Sequence, residues 1–191
     1  MSKSNAVLLV TLFAAAALIV SVVPATAASS NCAVLLVPGS VDPSGTILAT
    51  EVDLGCYPTY AEALAAGSSG AIDVPALTTP ASLTDAVLAA DTIASATADV
   101  LIGTEFVGTN YTGTSKSYFA PETCSIGVVW DVGNVGASWD DRFSSGKGFG
   151  GCDTNKKFED TNFGGSVLTC TPNCANYGAL SNQVSSLRWK P

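Results

Sequence analysis

No histidine occurs among the 191 residues of this chain. That absence removes the imidazole on which Ser-His-Asp and Cys-His nucleophile systems depend, and the ligands of the helix-borne zinc protease motif. Basic residues are scarce too, with 8 Lys and Arg against 16 Asp and Glu and a net charge of −8. A surface this acidic repels a phosphate backbone, which excludes nucleic acid as a partner. A structural zinc site is excluded on similar grounds, since the cysteines are scattered rather than set at finger-like spacing.

What is present begins with a leader. Lys3 lies in a short polar start, residues 6–23 run apolar, and Ala25-Thr26-Ala27 forms a small-residue cleavage site. This pattern predicts a signal peptide over 1–27, a mature chain from Ala28, a secreted protein and no membrane association after cleavage. Thr11, Ser21 and Pro24 interrupt the apolar run and no basic stop-transfer cluster follows, which weighs against an anchor. All six cysteines, Cys32, Cys56, Cys124, Cys152, Cys170 and Cys174, fall after the leader, and their even number suits an oxidising compartment. Sequence alone leaves about 15 pairings open. Pairing neighbours, Cys32 with Cys56, Cys124 with Cys152 and Cys170 with Cys174, is the expectation adopted.

Composition divides the mature chain near Ala98. Residues 28–98 read as a small α+β segment of unknown role. Strands are expected over 33–37 and 46–52. The capping box Thr59-Tyr60-Ala61-Glu62 opens a short helix through Ala66, and a second helix is expected after Thr79-Pro80, where Leu83, Val87, Leu88 and Ile93 recur at roughly helical spacing. Residues 99–191 are richer in Gly, aromatics, Thr, Ser and Asn and read as all-β, with strands expected over 100–106, 115–119, 126–132, 156–159, 166–169 and 187–189. So many short strands imply a sandwich or barrel.

Inside this second half lies a duplication. Phe106-Val-Gly-Thr-Asn-Tyr111-Thr-Gly113 matches Phe158-Glu-Asp-Thr-Asn-Phe163-Gly-Gly165 at both aromatics, at the glycine and at Thr-Asn. Downstream, Asp140-Asp141-Arg142-Phe143-Ser144-Ser145 is echoed by Ser181-Asn182-Gln183-Val184-Ser185-Ser186, and an aromatic closes each copy at Phe149 and Trp189. Two aromatics five apart can bracket a tight turn, and the glycine admits a positive φ. Each polar loop offers carboxylates or amides, a carbonyl and hydroxyls, the hard oxygen donors of which calcium takes about six to eight. Asp-Asp and Ser-Ser pairs alone are ordinary turn formers; their recurrence behind a repeated hairpin gives them weight.

The aromatic-x4-aromatic-x-Gly hairpin and the Asp/Asn-Asp/Asn-x-x-Ser/Thr-Ser loop, each present twice in order, resemble the paired signatures of microbial βγ-crystallin domains over about 100–189. The resemblance implies a mostly β, two-motif Greek-key sandwich, here preceded by the small α+β segment, and a non-enzymatic protein binding calcium between its motifs. Carried over residue by residue, the implied donors are Asp140, Asp141, Ser144 and the Arg142 carbonyl in the first loop, Asn182, Ser185 and the Gln183 carbonyl in the second, and the carbonyls of Val107 and Glu159. Ser181 stands where the family has an acid or amide, which weakens the second loop. The first repeat is also longer between Gly113 and Asp140 than the second between Gly165 and Ser181.

Other chemistry is thin. Ser144-Ser145-Gly146-Lys147 contains a Ser-x-x-Lys without its companion motifs. Gly146-Lys147-Gly148 lacks phosphate-loop spacing and reads as a turn. Asp140 and Glu159 could flank a glycosidic bond, though nothing in the sequence sets their separation. The alternative function is inhibition of a secreted metalloproteinase. Small secreted actinobacterial inhibitors share a similar hairpin, and Cys170-Thr-Pro-Asn-Cys174 would be the preorganised loop. Asn110-Tyr111-Thr112 is a glycosylation sequon if the host glycosylates exported proteins.

Overall fold

The structure, a computed structural model, describes residues 30–91 and 98–191. The expected signal peptide and Ile93 lie outside the described residues. Among those described, no helix is long and apolar enough to cross a membrane.

In chain order the elements are β1 (Asn31–Val41), β2 (Thr46–Tyr57), α1 (Tyr60–Gly67), α2 (Asp85–Asp91), β3 (Val100–Phe106), β4 (Ser115–Ala120), β5 (Val129–Val132), β6 (Ser145–Gly148), β7 (Thr154–Phe158), β8 (Val167–Cys170) and β9 (Ser186–Lys190). They form one curled sheet in the order β6-β3-β4-β1-β2-β5-β9-β7-β8. Its ends are two copies of one pattern. β6-β3-β4 and β9-β7-β8 each place the last strand of a motif beside the first, the order of a Greek key. The third strands are exchanged: β5 of the first motif pairs with β9 of the second, and Cys174 bridges back to Gly146 on β6. The fold is therefore mostly β, with two Greek keys packed as a sandwich.

The leading hairpin is built into this sandwich. β1 runs parallel to β4, β2 runs parallel to β5, and the hairpin thus joins an edge of one motif to the exchanged strand of the other. Side chains alternate across β1, β3 and β4, so Val34, Ile102 and Tyr118 enter the core between the sheets with Trp130 and Trp189. Their neighbours Ala33, Leu101 and Phe119 face outward into a second core under α1, with Tyr60, Leu64 and Ile72. Both faces of β3 and β4 are buried for this reason. Strand pairing and packing both cross the composition change near Ala98.

Local signals behave as expected at α1. Thr59 Oγ1 accepts from the Glu62 amide and the Glu62 carboxylate accepts from the Thr59 amide, at 3.2 and 2.9 Å. Gly67 allows α1 to lie close on the sheet, since a Cβ there would meet the Phe119 ring at 2.0 Å. Three expectations need correction. The second helix starts at Asp85 rather than after Pro80, because Thr79 closes a hydrogen-bonded turn onto Ser82 first. Residues 125–128 form a turn with Ile126 exposed, so the strand expected from 126 begins at Val129. Gly146-Lys147-Gly148 is part of strand β6, held by β3 on one side and Cys174 on the other.

The three disulfides are Cys32–Cys56, Cys124–Cys152 and Cys170–Cys174, the neighbour pairing expected. No free cysteine remains among the described residues.

Candidate metal centre

Each Greek-key hairpin holds two consecutive non-glycine residues in the left-handed region: Asn110 and Tyr111 at φ 55° and 62°, Asn162 and Phe163 at 54° and 66°. Such residues cost free energy and persist where neighbours over-determine them. Here the same device acts twice. Ser145 Oγ accepts from the Tyr111 amide at 3.0 Å and donates to the Gly108 carbonyl at 2.6 Å. Ser186 Oγ accepts from the Phe163 amide at 3.0 Å and donates to the Asp160 carbonyl at 2.7 Å. Over each turn the aromatics pack edge to face, Phe106 with Tyr111 at 5.9 Å and Phe158 with Phe163 at 5.5 Å. The second serine of each Ser-Ser pair thus secures its hairpin, a role that sequence reasoning missed although the doubled serine was its visible signal.

The two polar loops interlock. The Asn182 amide donates to the Phe143 carbonyl at 2.8 Å and the Asp141 amide to the Val184 carbonyl at 3.3 Å, which are equivalent bonds in opposite directions. Asp141 and Asn182 share a left-handed conformation, φ 57° and 58°. The Ser144 amide bonds the Phe106 carbonyl and the Ser185 amide the Phe158 carbonyl, at 2.8 and 2.9 Å, setting each loop against the end of a hairpin strand. The sequence groups oxygen donors by loop, whereas the observed side-chain contact crosses between loops: Ser144 Oγ lies 3.2 Å from Asn182 Oδ1.

The remaining predicted donors are placed less centrally. Asp140, Asp141, Arg142, Asn182 and Gln183 are exposed, while Ser144 and Ser185 are buried and Val107 and Glu159 half-buried. The Arg142 guanidinium donates to the Ser138 carbonyl at 3.0 Å and lies 5.8 Å from the Trp139 ring centroid. Glu159 accepts from the Ser166 amide at 3.0 Å, and hydrogen bonding from Ser166 holds its carboxyl below the usual range. Among the described residues no three His, Cys, Asp or Glu side chains converge. The donors are hydroxyls, amides, carbonyls and few carboxylates, a hard-oxygen set suited to calcium and unsuited to zinc.

The sequence matches no family model, and it matches no curated protein. Solved structures do match, nearly whole, over less than half of this chain. The chain is similar to a βγ-crystallin from an archaeon, at 21% identity over 47% of this chain and 98% of that one, with a TM-score of 0.35. A βγ-crystallin domain from Clostridium beijerinckii is similar at 20% identity over 47% and 97%, TM-score 0.36. A βγ-crystallin from Ciona intestinalis is similar at 21% over 44% and 94%, TM-score 0.34. The two Greek keys themselves rest on the strand pairing of this chain.

Two other motifs resolve structurally. Lys147 Nζ donates to the carbonyls of Pro80, Ala81 and Leu83 at 2.9, 2.9 and 2.8 Å, so its amine pins a loop instead of serving Ser144 as a base. The Cys170–Cys174 loop is held by both motifs: Asn173 Oδ1 accepts from the Gly148 amide on β6, and the Pro172 carbonyl accepts from Asn155 on β7.

Proposed function

We propose that this chain is a secreted, non-enzymatic, calcium-binding module of the βγ-crystallin type. The observation that carries the reading is the crossing of the two Ser-Ser loops, with Ser144 Oγ and Asn182 Oδ1 side by side and equivalent backbone bonds running both ways. In this reading Ser144 and Asn182, joined by that crossing, share one site with the Val107 carbonyl. By equivalence, Asp141 and Ser185 join the Glu159 carbonyl at the other. Asp140 and the carbonyls of Arg142 and Gln183 flank the pair. Calcium would supply positive charge that ties both loops and both hairpins together. Metal bound by the folded state alone stabilises it by mass action. With Asp141 as the main carboxylate, the second site is the stronger, and affinity falls in the weak range of extracellular modules, about 0.1 to 1 mM. Three disulfides fit export to an oxidising compartment.

Calorimetric titration with calcium, and melting with calcium and with chelator, test this reading. Heat and a raised melting temperature are expected for the wild type. Asp141→Ala abolishes the stronger step, and Asn182→Ala the weaker one. A wild-type chain showing neither heat nor a shift at millimolar calcium reduces the loops to turn formers.

A further inference from the structure

Glu105 and Lys157 each directly precede the first hairpin aromatic, Phe106 and Phe158, so they occupy the same position in the two Greek keys and meet between them. Both side chains are fully buried. Lys157 Nζ donates to Glu105 Oε1 and the Tyr177 hydroxyl donates to Oε2. The rings of Trp189 and Tyr177 lie 5.5 and 5.8 Å from Nζ, and a Cβ on Gly146 would fall 2.6 Å from Oε2. The pair sits in a closed, aromatic site.

An ammonium carries three donors. Lys147 places its own on three carbonyls, and Lys116 on Glu51 and the Val135 carbonyl. Among the described residues Lys157 has one hydrogen-bond acceptor, Glu105. The Glu51–Lys116 pair also differs in surroundings: Glu51 keeps 19% of its side-chain exposure and lines a cavity of about 210 Å³. Desolvation of two charges in so closed a site is poorly repaid by one contact. Burial also pulls the Lys157 amine below its usual range, toward the neutral nucleophilic form.

We propose that Lys157 and Glu105 condense into an intramolecular amide that cross-links the two Greek keys. The ammonium passes one proton to Oε1, leaving a neutral amine against a neutral acid. The nitrogen lone pair attacks Cδ and forms the C–N bond. Oε2 takes the negative charge, stabilised by the Tyr177 hydroxyl it already accepts from. Oε1 receives a second proton from the nitrogen, the C–Oε1 bond breaks and water leaves. Both protons come from the amine, no electrons are exchanged, and two buried charges become one neutral amide. None of the three disulfides joins β3 to β7, so this bond would be the covalent link between those strands.

Intact mass of the purified full chain, after folding and then reduction of its disulfides, decides the matter. The expected mass is lower by one water than the sequence of the chain as secreted. Trypsin then fails to cut after Lys157, and fragmentation finds one branched peptide containing Glu105 and Lys157. Lys157→Met restores the full mass. Tyr177→Phe keeps both partners and leaves uncondensed chain in the folded fraction. A wild type of full mass, cleaved normally after Lys157, overturns the proposal, as does a lost water mapped to any other peptide.

Discussion

Replacing Ser145 by alanine removes a single oxygen, and the structure gives the consequence a size. That oxygen is buried and holds both the Tyr111 amide and the Gly108 carbonyl. Each bond contributes about 0.5 to 1.5 kcal/mol net, so losing both costs about 2 kcal/mol. The left-handed pair Asn110-Tyr111 then lacks its tether, which pushes the loss toward the upper end. In a domain of this size the change lowers the melting temperature by roughly 4 to 8 °C. Ser186→Ala removes the equivalent oxygen from the second hairpin, from an equally buried serine, and an equal loss follows. The two serines share no partner, so the double variant loses the sum to within about 0.5 kcal/mol. Urea unfolding with disulfides intact measures all three variants. If either single variant stays within about 0.5 kcal/mol of wild type, or the two losses differ severalfold, the serines do not hold the hairpins as argued.

Gly146→Ala places a methyl 2.1 Å from the Tyr177 hydroxyl and 2.6 Å from Glu105 Oε2, and is expected to cost about 1 to 3 kcal/mol in the same assay. An unchanged urea midpoint would show that the buried site has spare room. Alkaline pH acts through Tyr60, Tyr118 and Tyr177, whose phenols burial raises above the ordinary value of 10.0. Their folded pKa values exceed the unfolded ones, so this stabilisation is complete below pH 10.0 and is lost as pH climbs toward the folded values. Phenolate absorbance from these three should therefore appear together with unfolding; their titration in a chain still folded by circular dichroism would contradict the burial.

Much of the candidate site was legible because its signals are local. Aromatic spacing, Thr-Asn and the following glycine encode turns closed within a few residues, and both hairpins adopt the same backbone conformation. The capping box at Thr59 and Glu62 is local in the same sense. Strand β6 was not legible: Ser-Gly-Lys-Gly has neither β-branched residues nor alternation, and it is extended because β3 and Cys174 supply its hydrogen bonds. Residues Glu105 and Lys157 were equally hidden, since a charged side chain near the end of a strand reads as surface.

By itself the sequence determined the doubled hairpin and loop, the first helix start and the exclusion of histidine chemistry, while the neighbour pairing of the cysteines was one choice among those it left open. Only the tertiary structure decided that the leading hairpin joins the two motifs, that Ser144 meets Asn182 rather than its own loop, and that Glu105 faces Lys157. Turns and caps arise from interactions within a few residues and leave a mark in order and spacing. The Ser144–Asn182 and Glu105–Lys157 contacts span 38 and 52 residues, and chain reversal, not local order, selects their partners.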